Sequence, residues 1–206
     1  MRTRLRSLMP RLLLIAWGVL CVLGQADAAA PDELVRETAD EVMALLRSDA
    51  GGDLDELAAL VDTKVVGHFD FASMTRLALG KYWRQATAEE QMALVGEFRT
   101  LLVRTYSNAL LQFLDYDIET RPLDAAADAK TVIVRTLVSK GGNKPIHLDY
   151  RMMARDADWF VFDVMVDGVS LVVNYRSMFG ATVEKSGVAG LIRLLQEKNA
   201  SLAGTG

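Results

Sequence analysis

The sequence predicts an α+β domain, a curved antiparallel sheet of about four strands packed against several helices and enclosing an apolar pocket. Three observations lead there. Apolar residues recur at helical spacing through the first half of the chain, alternate as in strands after that, and return to helical spacing at the end. Residues 159–180 begin as a strand that is apolar on both faces, so both faces need cover or one looks into a cavity. At Asp167-Gly168 this stretch changes to helical spacing through Leu171, Val172, Tyr175, Met178 and Phe179, which makes an apolar corner. An ordinary filled core explains the corner as well as a pocket does.

The chain opens with Arg2, Arg4, Arg6 and Arg11, an apolar run over residues 12–23, and the small-residue step Ala26-Asp27-Ala28. These are the basic region, apolar region and A-x-A site of a cleaved secretory signal peptide, residues 1–28. The run is too short to span a bilayer comfortably. Cys21 lies inside it after the bulky Leu20, which argues against a lipid-attachment site. Cleavage leaves one domain, residues 29–199, and a tail, residues 200–206, expected to be disordered. It removes four arginines and Asp27, so 23 basic and 27 acidic residues become 19 and 26, a net of about −7 with no cysteine. An exported chain without disulfides is held by its core, and the remaining length is enough for one. An acidic chain with no basic run is a poor match to nucleic acid or to an anionic membrane surface.

Residues 32–47 place Val35, Ala39, Val42, Met43 and Leu46 on one face of a helix, ended by residues 49–52. Asp53 caps a second helix carrying Leu54, Leu57, Val61 and Val65. Asp70 caps a short helix over residues 71–79, which stops at Gly80. Thr87 and Glu90 form a capping box. The helix they open is the longest, reaching about Phe113, with Met92, Val95, Phe98, Leu102, Tyr106, Ala109 and Phe113 as its stripe. Strands follow at 116–121, 130–140 and 144–155, with Gly141-Gly142-Asn143 as a hairpin turn. In the third, Ile146, Leu148, Tyr150 and Met152 face one way, and His147, Asp149, Arg151 and Met153 the other. In the fourth, alternation assigns Phe160, Phe162, Val164 and Val166 to one face, and Trp159, Val161, Asp163 and Met165 to the other. A last helix, 182–199, carries Val188, Leu191, Ile192 and Leu195.

The catalytic inventory is thin. His68 and His147 are far apart in sequence, and no histidine or carboxylate cluster has metal-ligand spacing. Gly168-Val169-Ser170 looks like half a nucleophile elbow, but Val172 stands where the second glycine belongs, so Ser170 reads as a helix start. Asp163 interrupts an apolar strand face, either as a general base in a closed cavity or, more plainly, as a structural partner or surface edge. The segment 80–85 mixes aromatics with cations. Tyr82 and Trp83 either pack a helix corner, or rim an opening with Lys81 and Arg84 near an anionic head.

Four segments are specific when taken together: Phe69-Asp70-Phe71; Leu77-Ala78-Leu79-Gly80-Lys81-Tyr82-Trp83-Arg84; Phe98-Arg99-Thr100-Leu101-Leu102; and Val166-Asp167-Gly168-Val169-Ser170-Leu171 through Asn174-Tyr175-Arg176. In this order, over about residues 32–199, they resemble the MlaC or toluene-tolerance family. The resemblance implies a soluble, monomeric periplasmic carrier that takes a phospholipid as cargo into a deep apolar pocket, with no cofactor and no catalysis. It implies exchange between an outer-membrane lipoprotein–porin complex and an inner-membrane Mla-type ABC transporter, a route that maintains outer-membrane lipid asymmetry. A hopanoid-associated branch of the family, and an enzyme on a cone-shaped α+β fold using Asp163 or His68 as acid/base, remain alternatives. The inward stripes then give the candidate pocket. Met74, Leu77, Tyr82, Trp83, Phe98, Leu102 and Tyr106 form a helical wall, Ile146, Leu148, Tyr150, Val164 and Val166 a sheet wall, and Leu171, Val172 and Tyr175 the corner. Lys81, Arg84 and Arg176 are candidates for the pocket mouth or for partner docking.

Overall fold

A computed structural model describes residues 29–47, 62–110, 115–123, 125–126, 128–156 and 158–203. The expected signal peptide, most of the helix expected after Asp53, and Phe113 lie outside the described residues.

Helix α1 (Pro31–Arg47) starts on a proline, whose missing N–H has no helical partner to lose at that position, and carries Asp32 and Glu33 in its first turn. Its Val35, Val42 and Met43 are buried. A 3-10 turn (Val66–His68) leads into α2 (Phe71–Leu79). The Asp70 carboxylate caps α2, accepting the Ser73 N–H at 2.9 Å and the Ser73 hydroxyl at 2.7 Å. Gly80 ends α2 at φ 54° and ψ −120°, a backbone that glycine alone adopts freely. A second 3-10 segment (Gly80–Gln85) delivers the chain to α3 (Ala88–Leu110). Its capping box is present, with Glu90 N–H donating to Thr87 Oγ1 at 3.2 Å and Thr87 N–H to Glu90 Oε2 at 2.9 Å. The buried stripe of α3 differs from the expected one. Leu94, Phe98, Leu101 and Leu102 are buried, whereas Met92 and Tyr106 are exposed. The helical period holds, but it runs through Leu94 and Leu101 rather than from Met92.

Strands β1 (Asp117–Thr120), β2 (Thr131–Ser139), β3 (Ile146–Arg155), β4 (Asp158–Val166) and β5 (Val169–Ser170) pair in chain order, antiparallel throughout. The fifth strand exceeds the expected four. Asp167 and Gly168 both take positive φ, 47° and 82°, the type I′ geometry that an Asp-Gly pair favours, so the chain doubles back before the last helix begins.

β4 carries a second difference. Its register with β3 slips between Arg151 and Met152, so that Asp163 faces Arg151 while Val161 faces Met152. Such a bulge puts one extra residue on β4 and shifts the alternation. Trp159 and Val161 therefore join Val164 and Val166 on the face of Leu148, Tyr150 and Met152, and Phe160 lies on the other face opposite Met153. Strict alternation misassigned Phe160 and Phe162 to the face of Val164; it is right only on the Val164 side of the bulge.

Helix α4 (Leu171–Ala203) is interrupted at Gly187, with φ 70° and ψ 179°, rather than ahead of Thr182. It continues to Ala203, so residues 200–203 of the expected disordered tail are helical. Ala200, Ser201, Leu202 and Ala203 offer no glycine or proline to stop the helix.

Apolar packing falls into two clusters. One lies among α2, the following 3-10 segment, α3 and α4, and is built on Met74, Leu79, Leu94, Phe98, Phe179, Leu191 and Leu195. Phe98 meets Tyr175 and Phe179 edge-on, with centroids at 4.9 and 5.0 Å. The other joins Val35 of α1 to Val132, Val134, Met152, Val161 and Val164 of the sheet. Phe69 packs against both. Among the described residues α1 approaches β1 and β2, and α2 and α4 approach β4. Helix α3 packs on α2 and α4 without a comparable approach to any strand.

Candidate apolar binding site

Two buried carboxylates fix the helical layer to the sheet. Asp70 sits where Phe69 bridges Val161 in parallel, and its N–H donates to the Val161 carbonyl at 2.8 Å. Arg155 of β3 donates to the same carboxylate and lies 5.2 Å from the Phe160 ring centre. Burial pushes the Asp70 pKa up, but the Ser73 N–H and hydroxyl together with Arg155 outweigh it and hold the carboxyl below its ordinary value.

Asp163, 1% exposed, accepts the Ser170 hydroxyl at 2.6 Å and the Val172 N–H at 3.2 Å, with Arg151 at 3.6 Å. Ser170 Oγ accepts the Val173 N–H at 3.0 Å. Asp163 and Ser170 thus satisfy the first amides of α4 and make the strand-to-helix corner. Arg151 also lies 4.9 Å over Phe162. The acid/base candidate is engaged on both oxygens, and His68 is not among its partners. Ser170 is the helix start that its position after Gly168 indicates.

The candidate wall residues divide between the clusters. Met74, Leu77, Tyr82, Trp83, Phe98, Leu102, Val172 and Tyr175 belong to the helical cluster or pack against it. Leu148, Tyr150, Val164 and Leu171 do so with the sheet cluster, and Tyr106, Ile146 and Val166 join neither. Burial sorts them further. Met74, Phe98 and Val172 are closed off on every side. Ile146, Leu148 and Tyr150, on the helix-facing side of β3, are only half-buried, as are Leu77, Leu171 and Tyr175. Tyr106 and Val166 are 38% and 37% exposed. The half-buried members keep apolar surface that a further apolar partner can contact, whereas the enclosed ones do not. The phenol of Tyr150 is pushed up to about 12 by burial, and that of Tyr175 to about 12 by burial first and neighbouring Tyr106 second.

The three candidate cations are used differently. Arg176 donates from Nε and Nη2 to the Leu77 carbonyl at 2.8 and 2.6 Å, filling the C-terminal end of α2. Lys81 lies 3.7 Å from Glu184 and 4.8 Å over the Tyr82 ring. The Tyr82 hydroxyl donates to Glu184, and this bond first, Lys81 second, lowers the Glu184 pKa. Arg84 is exposed, without an ion pair among the described residues. An open groove of about 380 Å³ along α4, lined by Ala181, Thr182, Lys185, Ser186, Gly190 and Leu194, shares none of the candidate residues.

Sequence reasoning missed the long-range partners Arg155 and Glu184. Only the caps were signalled locally, by an Asp or a Thr ahead of a helical stripe.

Residues 36–197 match the family model described as MlaC protein. The chain is 25% identical over 180 residues to the toluene tolerance protein ttg2D of Pseudomonas putida, covering 85% of this chain and 81% of that one. It is 20% identical over 174 residues to the intermembrane phospholipid transport system binding protein MlaC of Haemophilus influenzae, covering 82% and 81%. A phospholipid-binding protein from Ralstonia solanacearum, solved in complex with a phospholipid, superposes with a TM-score of 0.78 at 37% identity, covering 85% of this chain and 99% of that one. With its family match spanning most of its length, the chain belongs to the MlaC family.

Proposed function

We propose that this chain is a soluble periplasmic carrier, exported by cleavage of residues 1–28. It holds the acyl chains of a phospholipid between the helix-facing side of the sheet and helices α2–α4, and uses no cofactor. The carrier moves that lipid between an outer-membrane lipoprotein–porin complex and an inner-membrane Mla-type ABC transporter, which maintains outer-membrane lipid asymmetry. The observation that supports this most directly is the half-buried apolar face of Ile146, Leu148 and Tyr150, on the side of the sheet that the helices cover. The phospholipid bound to the Ralstonia relative supports the class of cargo.

The energetics give a reason for a deep site. Two acyl chains hold on the order of 30 methylenes, worth roughly 24 kcal/mol at ~0.8 kcal/mol each when withdrawn from water. A shallow groove that left one chain wet would forfeit about half of that. A bilayer offers similar burial, so the net cost of transfer is small and the partners can set its direction.

Native mass spectrometry of protein exported with its leader and purified without detergent tests the proposal. Diacyl phospholipid at near one-to-one is the expected result, and a triterpenoid in its place would redirect the reading to a hopanoid carrier. A bare chain that also refuses added phospholipid would overturn it.

A further inference from the structure

Among the described residues, two hydroxyls on the helix-facing side of the sheet, those of Thr136 and Tyr150, have no hydrogen-bond partner, and their surroundings differ. Thr136 of β2 is 2% exposed, with Oγ1 sealed and unpaired. Tyr150 of β3 lies diagonally across the strand pair, since Thr136 faces Leu148 and Val134 faces Tyr150. No hydrogen bond joins the Tyr150 side chain among the described residues, and its phenol is raised by burial with no hydrogen bond contributing. Unlike Thr136 Oγ1, Tyr150 keeps accessible surface, so an acceptor can reach it.

The neighbours of Tyr150 on that face decide which acceptor fits. They are Val134 and Val164 across the ladder, with Leu148 and Met152 along the strand. A water molecule needs two to four polar partners to be held in a cavity; these four side chains offer none and the Thr136 hydroxyl on the diagonal is sealed, which leaves the phenol alone. A phosphate is unsuited, because a charge buried without a partner is far costlier than one left in water. Tyr150 also sits four residues in from Ile146 at the end of β3, roughly 13 Å at the rise of an extended strand. A neutral oxygen that travels with apolar chains fits both conditions. In a glycerophospholipid, that oxygen is an ester carbonyl, which follows the phosphate by the length of a glycerol.

We propose that the phenol O–H of Tyr150 donates to an ester carbonyl of the cargo, making the site selective for acyl-ester lipids over their ether counterparts; this rests on the carrier reading above. A phenol whose pKa is raised stays protonated across physiological pH and remains a donor. Thr136 serves as the internal control, because its sealed hydroxyl contributes a desolvation cost and no contact.

The test offers delipidated protein an equimolar mixture of diacyl and dialkyl phosphatidylcholine of equal chain length, and reads the bound populations by native mass spectrometry. One net hydrogen bond predicts a wild-type preference for the ester lipid of roughly 2- to 10-fold. Tyr150→Phe, or Tyr150→Met should the first variant not fold, brings the ratio close to one. Thr136→Val keeps the wild-type ratio and raises the unfolding temperature. A wild-type ratio of one, or a preference that survives Tyr150→Phe, overturns the proposal. Protein that binds neither lipid overturns the carrier reading itself, a result distinct from binding both without preference.

Discussion

Asp163 decides between a structural corner and a reactive group, and Asp163→Asn tests it directly. The carboxylate accepts the Ser170 hydroxyl and the Val172 N–H, with Arg151 nearby. The amide keeps one acceptor oxygen, enough for Val172, and turns a donor toward Ser170 and Arg151. Ser170 Oγ accepts from Val173 and has a second lone pair for the amide, but its own proton loses the carboxylate that accepted it. Losing a buried charge-assisted hydrogen bond costs roughly 1.5–3 kcal/mol. Arg151 is 43% exposed, so its ion pair adds at most about 1 kcal/mol. The expected loss is about 2–4 kcal/mol, read as a shift in urea midpoint on delipidated protein, because bound lipid would raise apparent stability by mass action. A double-mutant cycle with Ser170→Ala isolates the pair, and a coupling of about 1–2 kcal/mol is expected for groups in direct contact. Additive single effects would refute the corner account. So would a variant of unchanged stability that had lost a turnover of apolar esters.

Asp70 has its folded pKa lowered, so its contribution is present above the unfolded value of ~3.9 and is lost as pH falls through the folded one. Asp70→Asn should therefore be less stable than wild type at neutral pH, with the gap closing below about pH 4 in acid titrations; a gap that stays constant down to pH 3 speaks against the assignment. Leu102→Trp and Val164→Trp should each reduce co-purified lipid in the folded protein. Full lipid in the surviving folded fraction, with stability alone reduced, would make both residues plain core. Lys81→Glu/Arg84→Glu should weaken partner-dependent lipid transfer, with a changed salt dependence, more than it weakens lipid retention. Lost retention with normal partner association would make these cations a head-group site.

Elements whose two ends are written locally came out where the sequence puts them. Asp70 and Gly80 bound α2, and Thr87 with Glu90 opens α3, because caps satisfy backbone groups a few residues away. The bulge opposite Arg151 and Met152 was not legible, since a bulge is a property of two strands and only one is read at a time. Asp167-Gly168 does carry its signal: the pair ends a strand, and it also specifies a hairpin once a partner strand follows. Wall residues posed a harder problem. Phe98 and Tyr150 are both inward positions on periodic elements, yet one is enclosed and the other keeps accessible surface. The difference lies in what packs over each position from elsewhere in the chain, which no local pattern encodes.

The proposed carrier must also remain folded when its interior is empty, and the walls of an empty apolar space forfeit contacts that a filled core would make. In this chain the closed packing falls in two clusters, with Phe98 against Tyr175 and Phe179 among the helices, and Val134, Met152 and Val161 on the sheet. Hydrophobic attraction has no direction and would draw the layers together, whereas hydrogen bonds fix a distance and an angle. Asp70 and Asp163 supply such bonds where α2 and α4 start beside β4, and α3 is carried on those two helices. If α3 stands off the sheet around a lipid, as the proposed function requires, polar groups at the edges of that space set the distance. It follows that Asp163→Asn should alter the interior as well as the stability: if the standoff is held from the corner, lipid retention in the folded fraction falls along with the urea midpoint. A variant that loses stability and keeps its lipid would show that the apolar walls hold themselves apart.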